Sequence, residues 1–403
     1  MIPMSGGSDT TPPDIHHQRR VMIVAGEASG DIFGADLVQK ALLLDSELHF
    51  FGIGGARMRE AGVTILVNSA EMAVMGAVEV IKHFGFISSA FFKLKKILRK
   101  EPPDLLILID YPGFNLRLAK IAKKCGIPVL YYISPKVWAW KAGRIKTIAA
   151  TVSHMAVIFP FEVPIYEQAG VPVTFVGHPM IDLVDVTIDR SAAATSFNLD
   201  PARTIVGLFP GSRRNEIERI LPVIIAAAGK LKERFPDIQF ILPLASTLHN
   251  EDITPLLAAA GLDVTISRAR IHDMIRACDA IISVSGTVTL EIALVGTPMV
   301  IIYKLAPFTY QLAKRLVKVP NIGLCNIVAG ETAVRELIQD RANPEEIAAE
   351  IERLLTDRDY VSAITGKLGE VRAKSGRGGA SLHVARLALS LCNRPVRQPG
   401  SPR

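Results

Sequence analysis

Residues 205–215 read Ile-Val-Gly-Leu-Phe-Pro-Gly-Ser-Arg-Arg-Asn, and a helical pattern follows them over 216–231. A short apolar strand, a Gly-Ser turn and the start of a helix form the first half of a βαβ unit. The same alternation of apolar strands and helices fills the chain up to residue 179, weakens over 179–204, and begins again at residue 205. The predicted strands are 21–25, 49–51, 105–109, 129–133, 155–159, 173–176, 205–209, 238–242, 264–266, 280–284 and 299–303. We therefore predict an α/β protein with two doubly wound, Rossmann-like domains.

The strand pattern also sets the domain boundaries. We expect a disordered tail over 1–19, a first domain over 20–182, a linker over 183–204, a second domain over 205–342, and a helical segment with a basic tail over 343–403. Asn343 followed by Pro344 is a helix start signal, because it combines a good N-cap with proline at the first helical position. Two such domains joined by one linker predict a cleft between the carboxyl ends of two sheets.

Composition excludes several classes of protein. The chain has 403 residues, 49% hydrophobic and 21% charged, with a mean hydropathy of +0.30, which excludes disorder. Its formal charge of +7 lies in residues 366–403, which carry eight Lys or Arg and one acid, so the rest is neutral. We therefore expect no nucleic-acid partner. The uncharged runs are too short to span a bilayer, and the polar start of the chain is unlike a signal peptide.

Most motifs for cofactors and metals are absent from the sequence. There is no phosphate-binding P-loop, and Gly52-Ile-Gly-Gly55 has Arg57 where a dinucleotide fingerprint has its third glycine, so we interpret it as a tight turn. The four cysteines are scattered and are interpreted as reduced core thiols. We expect no cofactor and no metal site.

Two loops of the first half follow predicted strands, where open α/β sheets bind ligands. The loop over 26–31 has two glycines that let the backbone approach a ligand, and Glu27 stands at the end of its strand; a plain turn with Asp31 as a cap is the alternative. The apolar run over 105–109 ends in Asp110. A carboxylate flanked by apolar residues is a candidate general base, and a turn former is the alternative.

The first loop of the second half has the features of a phosphate site. Gly211, Ser212 and Arg213 stand between a strand and a helix. Free backbone N–H groups, the helix dipole and a guanidinium bind phosphate without a metal ion. Arg213 and Arg214 are adjacent, and we expect one of them to be a surface charge instead.

The next such loop adds a ribose site. Ser285, Gly286 and Thr287 open a helix whose second turn carries Glu291. A carboxylate there suits the two hydroxyl groups of a ribose. An acid that only complements the helix dipole is the alternative.

Residues 72–100 combine apolar side chains with a basic run that ends at Lys100. This composition is typical of an interfacial element for anionic lipid surfaces, and a buried helix with a solvated end is the alternative. The candidate contact residues are Val78, Ile81, Phe84, Phe86 and Ile87.

Taken in order, these loops resemble lipid-A-disaccharide synthases, a family of glycosyltransferases of the GT-B architecture. The resemblance covers about residues 20–340, and its most distinctive part is Ser134-Pro-Lys-Val-Trp-Ala-Trp140. The other matching stretches are Gly26-Glu-Ala-Ser-Gly-Asp31, Met75-Gly-Ala-Val-Glu-Val80, Ile109-Asp-Tyr-Pro-Gly-Phe-Asn115, Phe159-Pro-Phe-Glu162, Gly177-His-Pro179, Pro210-Gly-Ser-Arg213, Ser285-Gly-Thr287 with Glu291, and Pro307-Phe-Thr309 to Leu312-Ala-Lys-Arg-Leu-Val-Lys318. The chain departs from the family at Cys325, where Pro is usual, and at Glu331-Thr332, where Arg-Glu is usual.

The resemblance implies an inverting reaction that joins UDP-2,3-diacylglucosamine to 2,3-diacylglucosamine 1-phosphate through a β(1→6) bond and releases UDP. Asp110 would be the base, with Glu27 and Asn326 lining the cleft and Asn326 on the UDP side. Gly211, Ser212 and Arg213 would bind the diphosphate, and Glu291 the ribose. The resemblance also implies a cytoplasmic protein, peripheral on the inner face of the inner membrane, and a homodimer with exchanged C-terminal segments.

Two other classes share part of these features. A UDP-sugar epimerase of the same architecture would have the ribose acid and the phosphate loop, but little use for the apolar and basic segment over 72–100. A non-catalytic lipid-binding protein would need that segment but not Asp110, Arg213 and Glu291 together.

Overall fold

Strand β1 (Arg20–Ala25) is the third strand of a seven-stranded sheet with the order β3-β2-β1-β4-β5-β6-β7. We describe it from a computed structural model that covers residues 19–72, 77–138, 143–184, 187–212, 214–245, 248–306, 310 and 320–392, without the side chains of 77–84, 214–216 and 252. The other strands are β2 (His49–Gly54), β3 (Thr64–Asn68), β4 (Leu105–Ile109), β5 (Val129–Tyr132), β6 (His154–Val157) and β7 (Val173–Phe175).

The register of β1 places two predicted ligand loops side by side. β1 pairs in parallel with β2 and with β4, and Ala25 stands opposite Ile109. Because the strand order reverses between β1 and β4, this is the switch point at which doubly wound sheets bind ligands. The loops that begin at Gly26 and at Asp110 therefore leave the sheet as neighbours.

The second sheet has six strands and repeats the same order, β10-β9-β8-β11-β12-β13. Phe209 of β8 pairs with Ser283 of β11, so the loops after these two strands are also neighbours. Its strands are β8 (Ile205–Phe209), β9 (Gln239–Pro243), β10 (Val264–Ser267), β11 (Ala280–Val284), β12 (Met299–Tyr303) and β13 (Glu336–Ile338). The prediction of two doubly wound parallel sheets is confirmed.

Helices separate the strands. Up to residue 196 they are α1 (Ala28–Leu44), α2 (Ala56–Glu60), α3 (Ala77–Lys100), α4 (Pro112–Lys124), α5 (Arg144–Thr151), α6 (Val163–Glu167), α7 (Met180–Leu183) and α8 (Arg190–Ser196). Then follow α9 (Arg214–Arg234), α10 (Thr254–Ala259), α11 (Ile271–Ala277), α12 (Val288–Val295), α13 (Leu324–Ala329), α14 (Pro344–Thr356), α15 (Arg358–Lys374) and α16 (Ala380–Cys392). The segment predicted as a linker over 183–204 contains α8.

The helical C-terminal segment begins as the sequence indicates. Asn343 is the N-cap of α14, where its side chain accepts a hydrogen bond of 2.9 Å from the backbone N–H of Glu346, and Pro344 occupies the first helical position. Because a capped first turn satisfies amide groups that the helix itself leaves free, this start is fixed locally.

Burial explains why the strands form here. Every residue of β4, β8 and β11 is buried, as expected for strands covered on both faces. Two strands have no counterpart among the strand predictions, the half-buried β3 and the three-residue β13. Neither has the continuous apolar pattern on which the prediction depended.

The described residues form two compact units. One contains 19–132, 151–154 and 381–392, and the other contains 133–150 and 155–380. The last helix belongs to the first unit, and the Cys392 thiol stands close enough to Asp104, Arg19 and Asp45 for their charges to act on its pKa, which burial raises to about 11. Within the described part of the chain, no helix is long and apolar enough to cross a membrane.

Candidate active site

A cavity of about 670 Å³ lies in the second unit, where four strands of its sheet end. Its walls include the last residue of β8, β9, β10 and β11 and the loops that follow them. This size is in the range of small-molecule and cofactor sites. The residues that line it are Lys136, Phe209, Gly211, Ser212, Pro243, Leu244, Ala245, Ser267, Arg268, Ala269, Ile271, Val284, Ser285, Gly286, Thr287, Val288, Glu291, Ile322, Leu324 and Ile327.

The cavity brings together both predicted nucleotide loops. Gly211 and Ser212 lie on one side, immediately before α9, and residues 285–287 lie on the other, immediately before α12. Gly211 has φ +101°, a left-handed conformation that favours glycine. The backbone amides at the start of α9 are suited to an anion. Arg213 lies outside the described residues.

Glu291 is held by a residue that the sequence analysis missed. Its carboxylate Oε2 lies 3.1 Å from Nε2 of His272, and both side chains are largely buried. The hydrogen bond fixes one carboxylate oxygen, so the carboxyl group faces the cavity in a defined orientation. No strand-end or loop signal marks His272, because it lies inside α11.

Side-chain hydroxyl groups connect two segments that line the cavity. Ser285 Oγ donates to the carbonyl oxygen of Ile322 at 2.9 Å. Thr289 Oγ1 donates to the carbonyl oxygen of Gly286 and accepts from the backbone N–H of Leu324. These bonds join the loop before α12 to the segment before α13, and both segments line the cavity.

Asn326 does not line the cavity. Its side chain is fully buried, and Nδ2 donates to the Val334 carbonyl oxygen and to Glu336 Oε1, both at 2.8 Å. Glu336 in turn accepts from the backbone N–H groups of Ile322 and Gly323, each at 2.9 Å. The amide therefore shapes the cavity wall at 322–324 through Glu336.

Two cationic side chains of the lining were not predicted as ligands. Arg268 follows β10 and donates to the carbonyl oxygens of Ala245 and Leu248, so part of its guanidinium holds the loop after β9. Its position at a strand end was a signal that sequence reasoning had available. Lys136 lies in the motif over 134–140, whose place after β5 was a similar signal.

In the first unit, Asp110 begins a strained turn. Asp110 and Tyr111 have φ +43° and +45°, a left-handed conformation that each non-glycine residue adopts at a cost of about 1–3 kcal/mol. Two side chains hold the Asp110 carbonyl oxygen: Asn115 Nδ2 donates at 2.7 Å and the Tyr131 hydroxyl at 2.6 Å. Such strain persists where the surroundings fix the backbone, and it is common at active sites.

Glu27 lies beside this turn, because its neighbour Gly26 packs against the Tyr111 ring. A Cβ atom at Gly26 would lie 2.5 Å from two ring carbons of Tyr111, so the ring covers Gly26 closely. Burial and the negative charge of Glu27 raise the pKa of the Tyr111 hydroxyl. The structure therefore brings the first two predicted loops together.

Asp31, the acid at the end of the first loop, has a structural role. Its carboxylate accepts hydrogen bonds from three backbone N–H groups at the start of α2: Gly55 at 2.6 Å, and Met58 and Arg57 at 3.1 Å. A Cβ atom at Gly55 would stand 2.5 Å from Asp31 Oδ2. The glycines before α2 therefore serve a tight turn capped by Asp31.

An apolar cavity of about 540 Å³ lies beside the strained turn. The rings of Phe91 and Phe114 meet edge to face there, with centroids 5.6 Å apart. Of the predicted lipid contacts, Ile87 lines this cavity and Phe86 is half-buried on α3 outside it; the side chains of Val78, Ile81 and Phe84 lie outside the description. The lining residues are Ile87, Ser88, Phe91, Phe92, Tyr111, Gly113, Phe114 and Arg117.

The fold resembles solved structures of enzymes named for UDP-sugars and glycosyl transfer. UDP-GlcNAc 2-epimerase from Neisseria meningitidis, solved bound to UDP-GlcNAc, matches with a TM-score of 0.64 at 14% identity, covering 92% of this chain and 100% of that one. A glycosyltransferase from Rickettsia africae ESF-5 matches with a TM-score of 0.58 at 13% identity, covering 94% and 100%. The fold is that of the GT-B class of glycosyltransferases and epimerases.

Sequence comparison identifies the family within that class. A family model described as lipid-A-disaccharide synthetase matches residues 21–378. The lipid-A-disaccharide synthase of Trichlorobacter lovleyi is 65% identical over 373 residues, which are 93% of this chain and 97% of that protein. The chain belongs to the lipid-A-disaccharide synthase family and is a glycosyltransferase. This confirms the resemblance on which the sequence analysis depended.

Proposed function

We propose that this chain transfers the sugar of UDP-2,3-diacylglucosamine to the 6-hydroxyl group of 2,3-diacylglucosamine 1-phosphate, with inversion, and releases UDP. Family membership carries the proposal, since the family model matches residues 21–378 and a relative aligns over 93% of the chain. The cavity in the second unit supports it, because it gathers the phosphate loop at 211–212 and the ribose acid Glu291 at the same strand ends. Asn326 and Glu336 support the binding site by fixing the segment at 322–324.

In the proposed reaction, the acceptor hydroxyl oxygen bonds to C1 of the donor sugar while the bond between C1 and the β-phosphate oxygen breaks. The electron pair of that bond leaves with UDP, and the hydroxyl proton passes to the Asp110 carboxylate. The fixed backbone of the Asp110 turn supports this role, because a general base acts only at hydrogen-bond distance from the proton it takes. Glu27 adds negative charge beside the same turn.

We further propose that the apolar cavity beside Asp110 holds an acyl chain of the acceptor. Its aromatic walls suit an alkyl chain, and Arg117, which also lines the cavity, is a cation suited to pairing with the acceptor phosphate. Tyr111 lines the cavity and also contacts Gly26, so the same ring borders the polar loops and the apolar space.

A UDP-release assay tests the reaction. With both acylated sugars present, we expect UDP and an acylated disaccharide 1-phosphate in equal amounts, and no UDP when the acceptor is omitted. UDP or an epimerised sugar formed without acceptor would indicate the epimerase chemistry instead. Binding of the acylated sugars without any UDP would indicate a non-catalytic lipid-binding protein.

Membrane association is a separate proposal, supported by the apolar and basic sequence of α3. Lys93 donates to the Leu66 carbonyl oxygen, and Phe92 has 61% of its surface exposed. Replacing Phe84, Phe86 and Ile87 with Ser should abolish co-flotation with phosphatidylglycerol vesicles. Replacing the exposed Leu43 and Leu44 of α1 with Ser is the matched control. Flotation of the triple variant with the vesicles would refute the contact.

The homodimer with exchanged C-terminal segments, which the family resemblance implies, is likewise proposed. Light scattering during gel filtration should give twice the mass of the 43.7 kDa chain. Deletion of 381–403 should reduce that mass to one chain; a full-length monomer at assay concentration would exclude the dimer.

A further inference from the structure

The motif over 134–140 is the most distinctive part of the sequence, and the proposed function gives it no role. It follows β5 and enters the second unit, where Lys136 lines the large cavity. Lys136 makes no hydrogen bond or ion pair with the described residues, whereas Arg268, the other cation of the described lining, is engaged with two carbonyl oxygens. A lysine in a nucleotide-sized cavity is available to an anionic ligand.

The loop that carries Lys136 is anchored on both sides by buried hydrogen bonds. Before it, Ser134 Oγ and the Tyr166 hydroxyl lie 2.7 Å apart, and both side chains are buried. After it, Trp138 Nε1 donates to Glu162 Oε1 at 3.2 Å. Glu162 is only 2% exposed, and its second oxygen accepts from the backbone N–H of Phe159 at 3.2 Å.

The backbone between these anchors is constrained as well. Ile133 has φ +62°, an unusual conformation for a β-branched residue, and its N–H donates to the Ala156 carbonyl oxygen. The backbone N–H of Val137 donates to the Pro135 carbonyl oxygen, which closes a three-residue turn centred on Lys136. Because this backbone is already ordered, the loop itself loses little entropy when its side chain binds a ligand.

We propose that the Lys136 ammonium group binds the diphosphate of the UDP-sugar, and that Trp138 and Glu162 are positioning residues that hold its loop. This rests on the proposed function and names a further residue for the same site. When the bond from C1 to the β-phosphate oxygen breaks, the electron pair stays on the diphosphate, and the ammonium group stabilises that added charge.

Calorimetry with UDP and with uridine tests the contact. Lys136→Met should weaken UDP binding by about tenfold to a hundredfold, the usual effect of one charged hydrogen bond, and leave uridine binding unchanged. Lys136→Arg should recover most of the loss. Lys146→Met, on the exposed face of α5, is the control and should not change either affinity.

Three outcomes decide the matter. Unchanged UDP affinity in Lys136→Met, with normal binding by the unaltered chain, would overturn this inference alone. An equal loss for UDP and uridine would also overturn it, because the change would then act on the cavity and not on the diphosphate contact. Absence of UDP binding by the unaltered chain would instead refute the proposed function.

A double-mutant cycle tests the positioning role. Trp138→Phe keeps a ring but removes the N–H that Glu162 accepts. It should weaken UDP binding several-fold in the unaltered chain and add nothing in the Lys136→Met background. An equal effect in both backgrounds would show that Trp138 acts on UDP independently of Lys136, and the positioning role would be wrong.

Discussion

The ring of Tyr111 lies so close to the α-carbon of Gly26 that a methyl group there would stand 2.5 Å from two ring carbons. This contact joins the loop after β1 to the loop after β4, at the switch point of the first sheet. It explains why a glycine stands next to Glu27. It also makes the position of Asp110 dependent on a residue 84 positions earlier in the chain.

We expect Gly26→Ala to lower the free energy of unfolding by about 1–3 kcal/mol, because the added methyl overpacks against the ring. It should also reduce kcat, since Tyr111 adjoins Asp110. Combining it with Tyr111→Ala should cost less than the sum of the two changes. Gly229→Ala, in open space on α9, is the control and should leave stability equal or higher. Full additivity in urea denaturation would contradict the contact.

Asp110→Asn should lower kcat by about 10²- to 10⁴-fold while the Kd for UDP stays the same. Asparagine also adopts the left-handed conformation that this turn requires, so the melting temperature should not change. Steady-state UDP release and calorimetry measure the two effects. A variant that retains its fold and near-normal turnover would show that Asp110 is not the base.

Asp31→Asn should destabilise the chain by about 1–3 kcal/mol without changing the Kd for UDP. The amide replaces a carboxylate that accepts three backbone hydrogen bonds, and only one of its atoms is still an acceptor. The Asp36 side chain, on the same helix, makes no such bonds with the described residues. Asp36→Asn is therefore the control and should change stability little. Equal denaturation midpoints for the two variants would contradict the role of Asp31 as a cap at the start of α2.

Glu162 predicts a pH dependence of stability. Burial raises the pKa of its carboxyl group to about 7 from an ordinary 4.5, so the folded chain holds a proton that the unfolded chain releases between these values. This contribution to stability is present below pH 4.5 and is lost as pH rises to about 7. Glu162→Gln does not titrate. Its melting temperature should therefore rise relative to the unaltered chain between pH 5 and pH 8; a constant difference would refute the shift.

His178 predicts a pH dependence of stability with the opposite sign. Burial lowers the pKa of its imidazole to about 3 from 6.5, and Nδ1 accepts from the backbone N–H of Met180, so the folded ring stays neutral. The contribution of this neutral ring to the free energy of unfolding is present above pH 6.5 and is lost as pH falls towards 3. His178→Gln should therefore lose less stability than the unaltered chain between pH 6.5 and pH 5.

The parts of the fold that the sequence predicted best are the continuous apolar strands. The observed bounds of β4, β8 and β11 are the predicted ones, because two-sided burial leaves a run that local pattern reveals. The edge strand β3 is half-buried and β13 has three residues, so neither carries that pattern. Strand order, and with it the pairing of ligand loops, depends on packing between distant segments.

The candidate site was predictable only where residues follow strands. Gly211 and Glu291 belong to loops whose place at a sheet edge is readable from the sequence. The place of Asn326 depends on partners at 334 and 336, and that of Lys136 on buried anchors at 162 and 166. Such side-chain partnerships form only once the chain has folded, and no local spacing encodes them.

The first compact unit takes its last helix from the end of the chain. Because a ribosome makes residues 381–392 only after the second unit, the first unit stays incomplete until those residues have been made. An expression fragment that stops at residue 182 would lack α16 and expose the surface that this helix covers. Completion of the first unit therefore depends on the order in which the cell makes the chain.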